Sequence, residues 1–331
     1  MKALDRKLAS IAHGEYSPDD FVIADAKDAD MAFGVQAPGL DPESTVSGLG
    51  GDFRTRTEYL DHMTQEVQAE AVDVLLTSAS NGEKLALKGV FDRSTVTLAV
   101  RANDTTDIWN PRGGTYTNYP SRPFRTANLD EVRRFCNLVL YSVTFNNDLA
   151  SDLATLQEYG RFRQEAHALG VRHFLEVFNP NAPVGLAAKD VGGFVNDHIV
   201  RLLAGVTAAE RPLFLKMAYN GPASLSELVE HDSSLVVGIL GGSAGTTRDT
   251  FELLAQTERH GARVALFGRK IQRSESQLDL IAGMRDVLTG KATSEQAVAA
   301  YHEVLRSKGI TPFRPLEQDQ QLTEDVLRQD A

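Results

Sequence analysis

A (β/α)8 TIM barrel with extra helices at both termini is the fold this sequence predicts, on three observations. Eight short runs rich in Val, Ile, Leu and Phe recur along the 331 residues. Each run is nearly continuous in apolar character, the mark of a strand covered on both faces, as in a parallel sheet. Segments of helical period separate most of the runs, which gives the strand–helix alternation of a barrel. An open doubly wound sheet is the other arrangement open to such repeats.

The elements follow in order. The opening segment "MKALDRKLASIAHGEY" alternates apolar and charged residues at helical spacing. With no unbroken apolar core and no small-residue cleavage site, it reads as an amphipathic helix rather than a signal peptide. The strands are expected over 21–26, 72–77, 95–101, 137–144, 173–178, 212–218, 235–241 and 263–268. Between them, "LASDLATLQEYGRFRQEAHALG" and "TTRDTFELLAQTERHG" are helices that stop at a glycine. One barrel domain is expected across 1–331, its core spanning about 21–290 and a helical extension occupying 291–331. The segments 35–55 and 103–125, rich in Gly, Pro and Ser or in aromatics, follow the first and third strands. In a barrel they lie on the catalytic face, as lids or as contacts between copies.

Composition narrows the function. Apolar residues make up 42% and charged residues 24%, enough for a sizeable core. A net charge of −11 opposes nucleic-acid or acidic-membrane binding while leaving room for a small basic pocket. No run approaches the roughly 20 apolar residues of a membrane span. The single cysteine, Cys136, excludes an internal disulfide and fits a reducing cytoplasm. Its setting is that of a packed small side chain.

Residues at the C-terminal ends of the strands carry the candidate chemistry. Lys216 ends the apolar run "RPLFLKMA". Burial disfavours an ammonium and favours the neutral amine that attacks carbonyls to form a Schiff base. Glu176, in "HFLEVFNP", holds the matching place on the preceding strand and is expected beside Lys216 as a proton carrier. In "VIADAKDADMAFG", Asp25 ends the first strand and is expected to handle a substrate hydroxyl. Lys27 is expected to lend charge to Lys216 or to bind an oxyanion, and Asp28 and Asp30 to be solvated loop charges. Arg101 and Asn103 end the third strand and are expected to orient substrate. Tyr141 reads either as a substrate contact and proton donor or as a core side chain. The glycine-rich loop with Gly241, Gly242, Ser243 and Gly245, followed by a helix, suits an anion; Gly268 and Arg269 add to it from the next loop. Loops after the last two strands are the recurrent phosphate site of barrels. "GGSAGTT" lacks the lysine and spacing of a P-loop. No histidine pair has metal spacing, so neither a metal nor a cofactor is expected.

The ordered set "VIADAKDADMAFG", "FLEVF", "FLKMAYN", "LGGSAG" and "FGRKI" resembles the class I, Schiff-base aldolases of the (β/α)8 type. Tagatose-bisphosphate and archaeal-type fructose-bisphosphate aldolases are the nearest in pattern. The resemblance runs from Phe21 to Ile271 and implies a lyase acting on a phosphorylated sugar or related keto compound. It implies Lys216 as the imine-forming lysine, Glu176 as acid/base, Asp25 as first-strand acid, and Gly242 and Arg269 as phosphate contacts. Two departures stand out. The strand-four lysine of the tagatose enzymes is matched here by Leu140 and Tyr141, and the Asp-His-Gly-like turn by Asp25-Ala26-Lys27. A cytoplasmic homo-oligomer is expected. The spacing D-x-K-x-x-D of Asp25, Lys27 and Asp30 also resembles the charged array of orotidine-phosphate and keto-gulonate-phosphate decarboxylases. A catalytically silent sugar-phosphate-binding barrel is the third reading.

Overall fold

Eight parallel strands close into a barrel in the computed structural model, which describes residues 1–41, 53–241 and 245–329. They are β1 (Val22–Lys27), β2 (Val74–Thr77), β3 (Thr97–Arg101), β6 (Leu138–Thr144), β7 (Arg172–Phe178), β8 (Leu215–Met217), β9 (Gly238–Leu240) and β10 (Val264–Phe267). They pair in chain order, and β10 pairs with β1 to close the ring. Each strand falls on one of the eight expected runs, β1 ending one residue past its run and β7 beginning one residue before its own. Between β3 and β6, β4 (Asp104–Thr105) and β5 (Pro123–Phe124) form a small antiparallel ribbon.

Side-chain alternation divides every strand between two cores. Val22, Ala24, Val74, Leu76, Ala99, Leu138, Leu140, Phe174, Phe214, Val264 and Leu266 fill the barrel interior, with Leu4 of the helix Ala3–Ala12 among them. That N-terminal helix therefore packs against the interior cluster. Lys7, on the same helix, is fixed to Asp73 at 3.0 Å. The alternate residues, such as Ile23, Leu75, Val100, Val139, Leu175 and Leu215, pack against the surrounding helices. The expected terminal helices are present, with Ser294–Ser307 and the short Leu316–Asp319 following the barrel. Among the described residues, no helix is long and apolar enough to cross a membrane. Cys136 is buried as a packed side chain.

The long segment after β3 is structured. Trp109 stacks on Tyr116 with ring centroids 4.2 Å apart and packs against Phe124. Asn110 N–H donates to Ala32 O, tying this segment to the chain that follows β1. Residues 42–52 of the other long segment lie outside the described residues.

Candidate active site

The site grows out of strand register. Ser142 on β6 stands opposite Glu176 on β7, which stands opposite Lys216 on β8. All three share the parity of Phe174 and Phe214, the stacked pair one step below them inside the barrel. They therefore form a polar layer on the apolar floor. Arg101 reaches this layer from β3. It donates to Ser142 Oγ (2.7 Å) and Glu176 Oε2 (3.0 Å), and its Nε pairs with Asp28. Ser142 Oγ–H donates to the same Glu176 oxygen at 2.6 Å, while the other Glu176 oxygen pairs with the Lys216 ammonium. Lys216 keeps 6% of its surface exposed, so its reach to solvent is through the barrel mouth.

Electrostatics fixes the protonation of most of this layer. Burial alone would push the Glu176 carboxyl up, but Lys216, Arg101 and Ser142 outweigh it and hold it below the usual carboxylate range. Burial likewise opposes the Arg101 charge, and Asp28, Glu176 and Asp104 more than restore it. Asp104 is different. Desolvation raises its carboxyl to about 6, against the pull of Arg101, whose Nε lies 4.0 Å away, and with the push of Asp28 and Glu176. Its Oδ1 is buried and accepts no hydrogen bond among the described residues. Asp104 is thus the carboxyl in this cluster poised to exchange a proton near neutral pH.

Several sequence expectations are corrected here. Asp25 and Lys27 share the parity of Ile23 and point out of the barrel, into the layer beneath the helix Arg56–Gln68. Lys27 Nζ lies 2.8 Å from Asp25 and 2.9 Å from Glu66 of that helix, and donates to Gln277 Oε1 at 2.9 Å. Both residues of the strand pair are fully buried. They are 
a structural ion cluster, and neither joins Lys216. Asp28 is no solvated charge, since it holds Arg101; Asp30 accepts from Ser78 Oγ (2.6 Å) and Asn81 Nδ2 (3.0 Å). Tyr141 also faces outward, stacked on Phe162 of the helix Leu149–Ala168. Asn103 spends its amide on the backbone of Ser142, donating to its O (2.9 Å) and accepting from its N–H (2.6 Å). It holds Ser142 in place rather than facing a substrate.

On the opposite side of the mouth, Gly241 and Gly268 have packing reasons. A Cβ on Gly241 would sit 2.0 Å from the Phe267 ring, and one on Gly268 would sit 2.9 Å from Ala26 O. Gly245 adopts φ +92°, a conformation that favours glycine. Gly242 and Ser243 lie outside the described residues. Beyond these glycines a cavity of about 340 Å³ is lined by Gly245, Thr247, Arg269 and Lys270, among others.

With this geometry in hand, comparison with known proteins gives the fold a context. No family model matches the chain, and no curated protein is similar to it in sequence. Solved structures are similar in shape. A Schiff base-forming fructose-1,6-bisphosphate aldolase superposes with a TM-score of 0.62 at 13% identity, covering 86% of this chain and 99% of its own. A fructose-bisphosphate aldolase from Slackia heliotrinireducens gives 0.62 at 15%, covering 91% and 90%. Cgl0159 from Corynebacterium glutamicum gives 0.59 at 17%, covering 87% and 94%. The chain shares their barrel fold.

Sequence reasoning missed Ser142, Asp28 and Asp104 as members of the site. Ser142 carries a readable signal, being two residues beyond Leu140 on the same face of an otherwise apolar strand. Asp104 lies past the strand end, where period-2 reasoning stops.

Proposed function

We propose that the protein is a class I aldolase, a lyase that makes or breaks a C–C bond in a phosphorylated sugar or related keto compound. The observation that carries this reading is the Lys216–Glu176 pair, set in a polar layer above an apolar barrel floor. The barrel likeness to aldolases, one of them described as Schiff base-forming, supports it.

The chemistry follows from the contacts. Glu176, already in contact with the ammonium, accepts its proton and frees the Lys216 amine to attack the substrate carbonyl carbon. The carbonyl oxygen takes up the proton that the attacking nitrogen loses, which gives a carbinolamine. Glu176 returns its proton to that hydroxyl, which leaves as water, and the C=N bond forms. The protonated imine then draws in the electron pair of the bond between its α and β carbons as the hydroxyl on the β carbon loses its proton. An aldehyde departs and an enamine remains; its protonation and hydrolysis release the second product. Asp104 is the carboxyl suited to the hydroxyl proton, the role expected of Asp25 from sequence. Arg101 and Ser142 keep Glu176 oriented, and Gly245 and Arg269 border the pocket for the phosphate. The reading includes a cytoplasmic homo-oligomer, which light scattering of the purified protein tests separately.

The decarboxylase reading has lost its motivating observation, since Asp25 and Lys27 lie outside the barrel interior. Incubation with a panel of ketose phosphates and aldehydes, borohydride reduction and peptide mass spectrometry tests the proposal. An adduct on Lys216, absent from Lys216→Met, is expected. Normal cleavage by Lys216→Met would sink the mechanism. Ligand binding without adduct or turnover would favour a silent barrel, and carbon dioxide release a decarboxylase.

A further inference from the structure

The segment between β3 and β6 carries a ribbon and the chain's one tryptophan, yet the aldolase chemistry draws on Asp104 alone from it. It is fastened across the barrel mouth. Asn110 N–H donates to Ala32 O, after β1, at 2.9 Å. Ser121 N–H donates to Asn146 Oδ1, after β6, at 2.8 Å, and Asn146 Nδ2 donates to Asn181 Oδ1, after β7, at 2.8 Å. Asn181 Nδ2 returns to the segment, donating to Thr117 O and Tyr119 O at 2.8 Å each. The Trp109–Tyr116 stack, packed on Phe124 of the ribbon, holds the span between these anchors together. Side chains on such a wall are placed on folding, so a ligand does not bear the cost of ordering them.

Asp107 is the charge this wall sets over the site. Thr144 stands two residues beyond Ser142 on the inward face of β6 and opposite Phe178 on β7, so it opens the next layer above Ser142, Glu176 and Lys216. Thr144 Oγ–H donates to Asp107 Oδ2 at 3.0 Å, and Ser121 Oγ–H donates to Asp107 Oδ1 at 2.7 Å. A carboxylate offers about four lone-pair positions, and these bonds take one on each oxygen. Asp107 is half-buried, and among the described residues it pairs with no cation. Neutral hydroxyls therefore hold it in place and leave both oxygens able to accept again. Ring order decides which part of a substrate meets it. β6 stands four strands from β10, straight across the eight-strand ring, and β8 with Lys216 lies midway between them. A substrate with its phosphate after β9 and β10 and its carbonyl at Lys216 extends its far end towards Thr144 and Asp107. That end is the fragment released as an aldehyde.

We infer that Asp107, held by Thr144 and Ser121, is a specificity-determining residue that accepts hydrogen bonds from hydroxyls of the aldehyde fragment and so selects hydroxylated over deoxy aldehydes. Such bonds to an ionised acceptor are the strong ones. An aldehyde without hydroxyls would cover the carboxylate and leave it unpaired, which is how a hydrogen-bonding site rejects an analogue lacking the group. The inference rests on the aldolase reading and adds to it a contact from outside the strand–helix repeat.

Glyceraldehyde and propanal, the same three-carbon aldehyde with and without its hydroxyls, are the probes, each offered with dihydroxyacetone phosphate for C–C bond formation. Wild type should favour glyceraldehyde in kcat/KM, and Asp107→Asn should lose at least about tenfold of that preference, the size of a hydrogen bond to a charged group. Thr144→Val, which takes away one of the two donors holding the carboxylate, should lose a smaller part. Fluorescence of Trp109, the only tryptophan, should peak at the wild-type wavelength in both variants, which separates lost recognition from a displaced wall. Saturation-transfer NMR with glycerol and propanol reads the same contact without chemistry: wild type should favour glycerol, and Asp107→Asn should not. An unaltered aldehyde preference in Asp107→Asn, or an unaltered glycerol signal in a protein with no turnover, overturns the inference. Trapping at Lys216 with the aldehyde preference unaltered would keep the aldolase reading and remove Asp107 from it. A glycerol signal that depends on Asp107 in a protein trapping no keto compound would keep the site and remove the aldolase reading.

Discussion

Replacing Lys27 with methionine separates the roles of two lysines at strand ends, Lys27 and Lys216. Among the described residues, Lys27 is the single cation between Asp25 and Glu66, at 2.8 and 2.9 Å, and all three are buried. Burial would lower its ammonium, but Asp25 and Glu66 more than reverse that, so it is charged in the native protein. Burial, and then Glu66, push the Asp25 carboxyl well up, so the carboxylates already strain against one another with the lysine present. Removing one partner of such a buried cluster costs about 3–5 kcal/mol, because the remaining charge is left uncompensated. With an unfolding entropy of about 2.1 cal/mol/K per residue, 331 residues give about 0.7 kcal/mol/K. The melting midpoint should therefore fall by about 4–7 °C.

Circular dichroism during heating reads this loss, and borohydride trapping below the transition reads the site. Lys27→Met should melt early yet still trap at Lys216 to the wild-type extent. Adding Asp25→Asn and Glu66→Gln should restore much of the midpoint, since no uncompensated charge then remains. A Lys27→Met protein that melts like wild type but no longer traps would refute the outward placement and return Lys27 to the barrel mouth.

Two further outcomes follow from the polar layer. Asp104 binds its proton more tightly folded than unfolded, so it costs stability as pH rises through its ordinary range towards about 6, by at most about 3 kcal/mol above that. Asp104→Asn should thus gain on wild type in urea midpoint between pH 4 and pH 8, while any acid limb near pH 6 in the cleavage rate should vanish; an equal midpoint difference at both pH values counts against the shifted carboxyl. Ser142→Ala removes the hydroxyl that joins Arg101 to Glu176. It should slow imine trapping about tenfold or more with little change in phosphate affinity, and an unaltered trapping rate would show that Glu176 needs no such support.

The barrel was legible because eight apolar runs separated by helical segments leave few other ways to cover both strand faces. Side assignment was harder, for the same reason. A run that is apolar on both faces shows no alternation, so the direction of a charged residue at its end must come from counting back to a side chain whose face is known. Phe174 and Phe214 stack inside the barrel, and Glu176 and Lys216 stand two residues beyond them. In "VIADAKD", the same count from Val22 and Ala24 passes through Ala26 to Asp28, and leaves Asp25 and Lys27 with Ile23 on the helix side. A second signal for that placement was present in the helix Arg56–Gln68. Its buried face runs Tyr59, Met63, Glu66, Val67, and a carboxylate in such a stripe requires a buried cation. Lys27 is that cation. The first strand's charges therefore dock a helix, and it is Asp28, just after the strand, that reaches the polar layer by pairing with Arg101. Asp104 was beyond any such count, because it belongs to a ribbon that lies outside the strand–helix repeat.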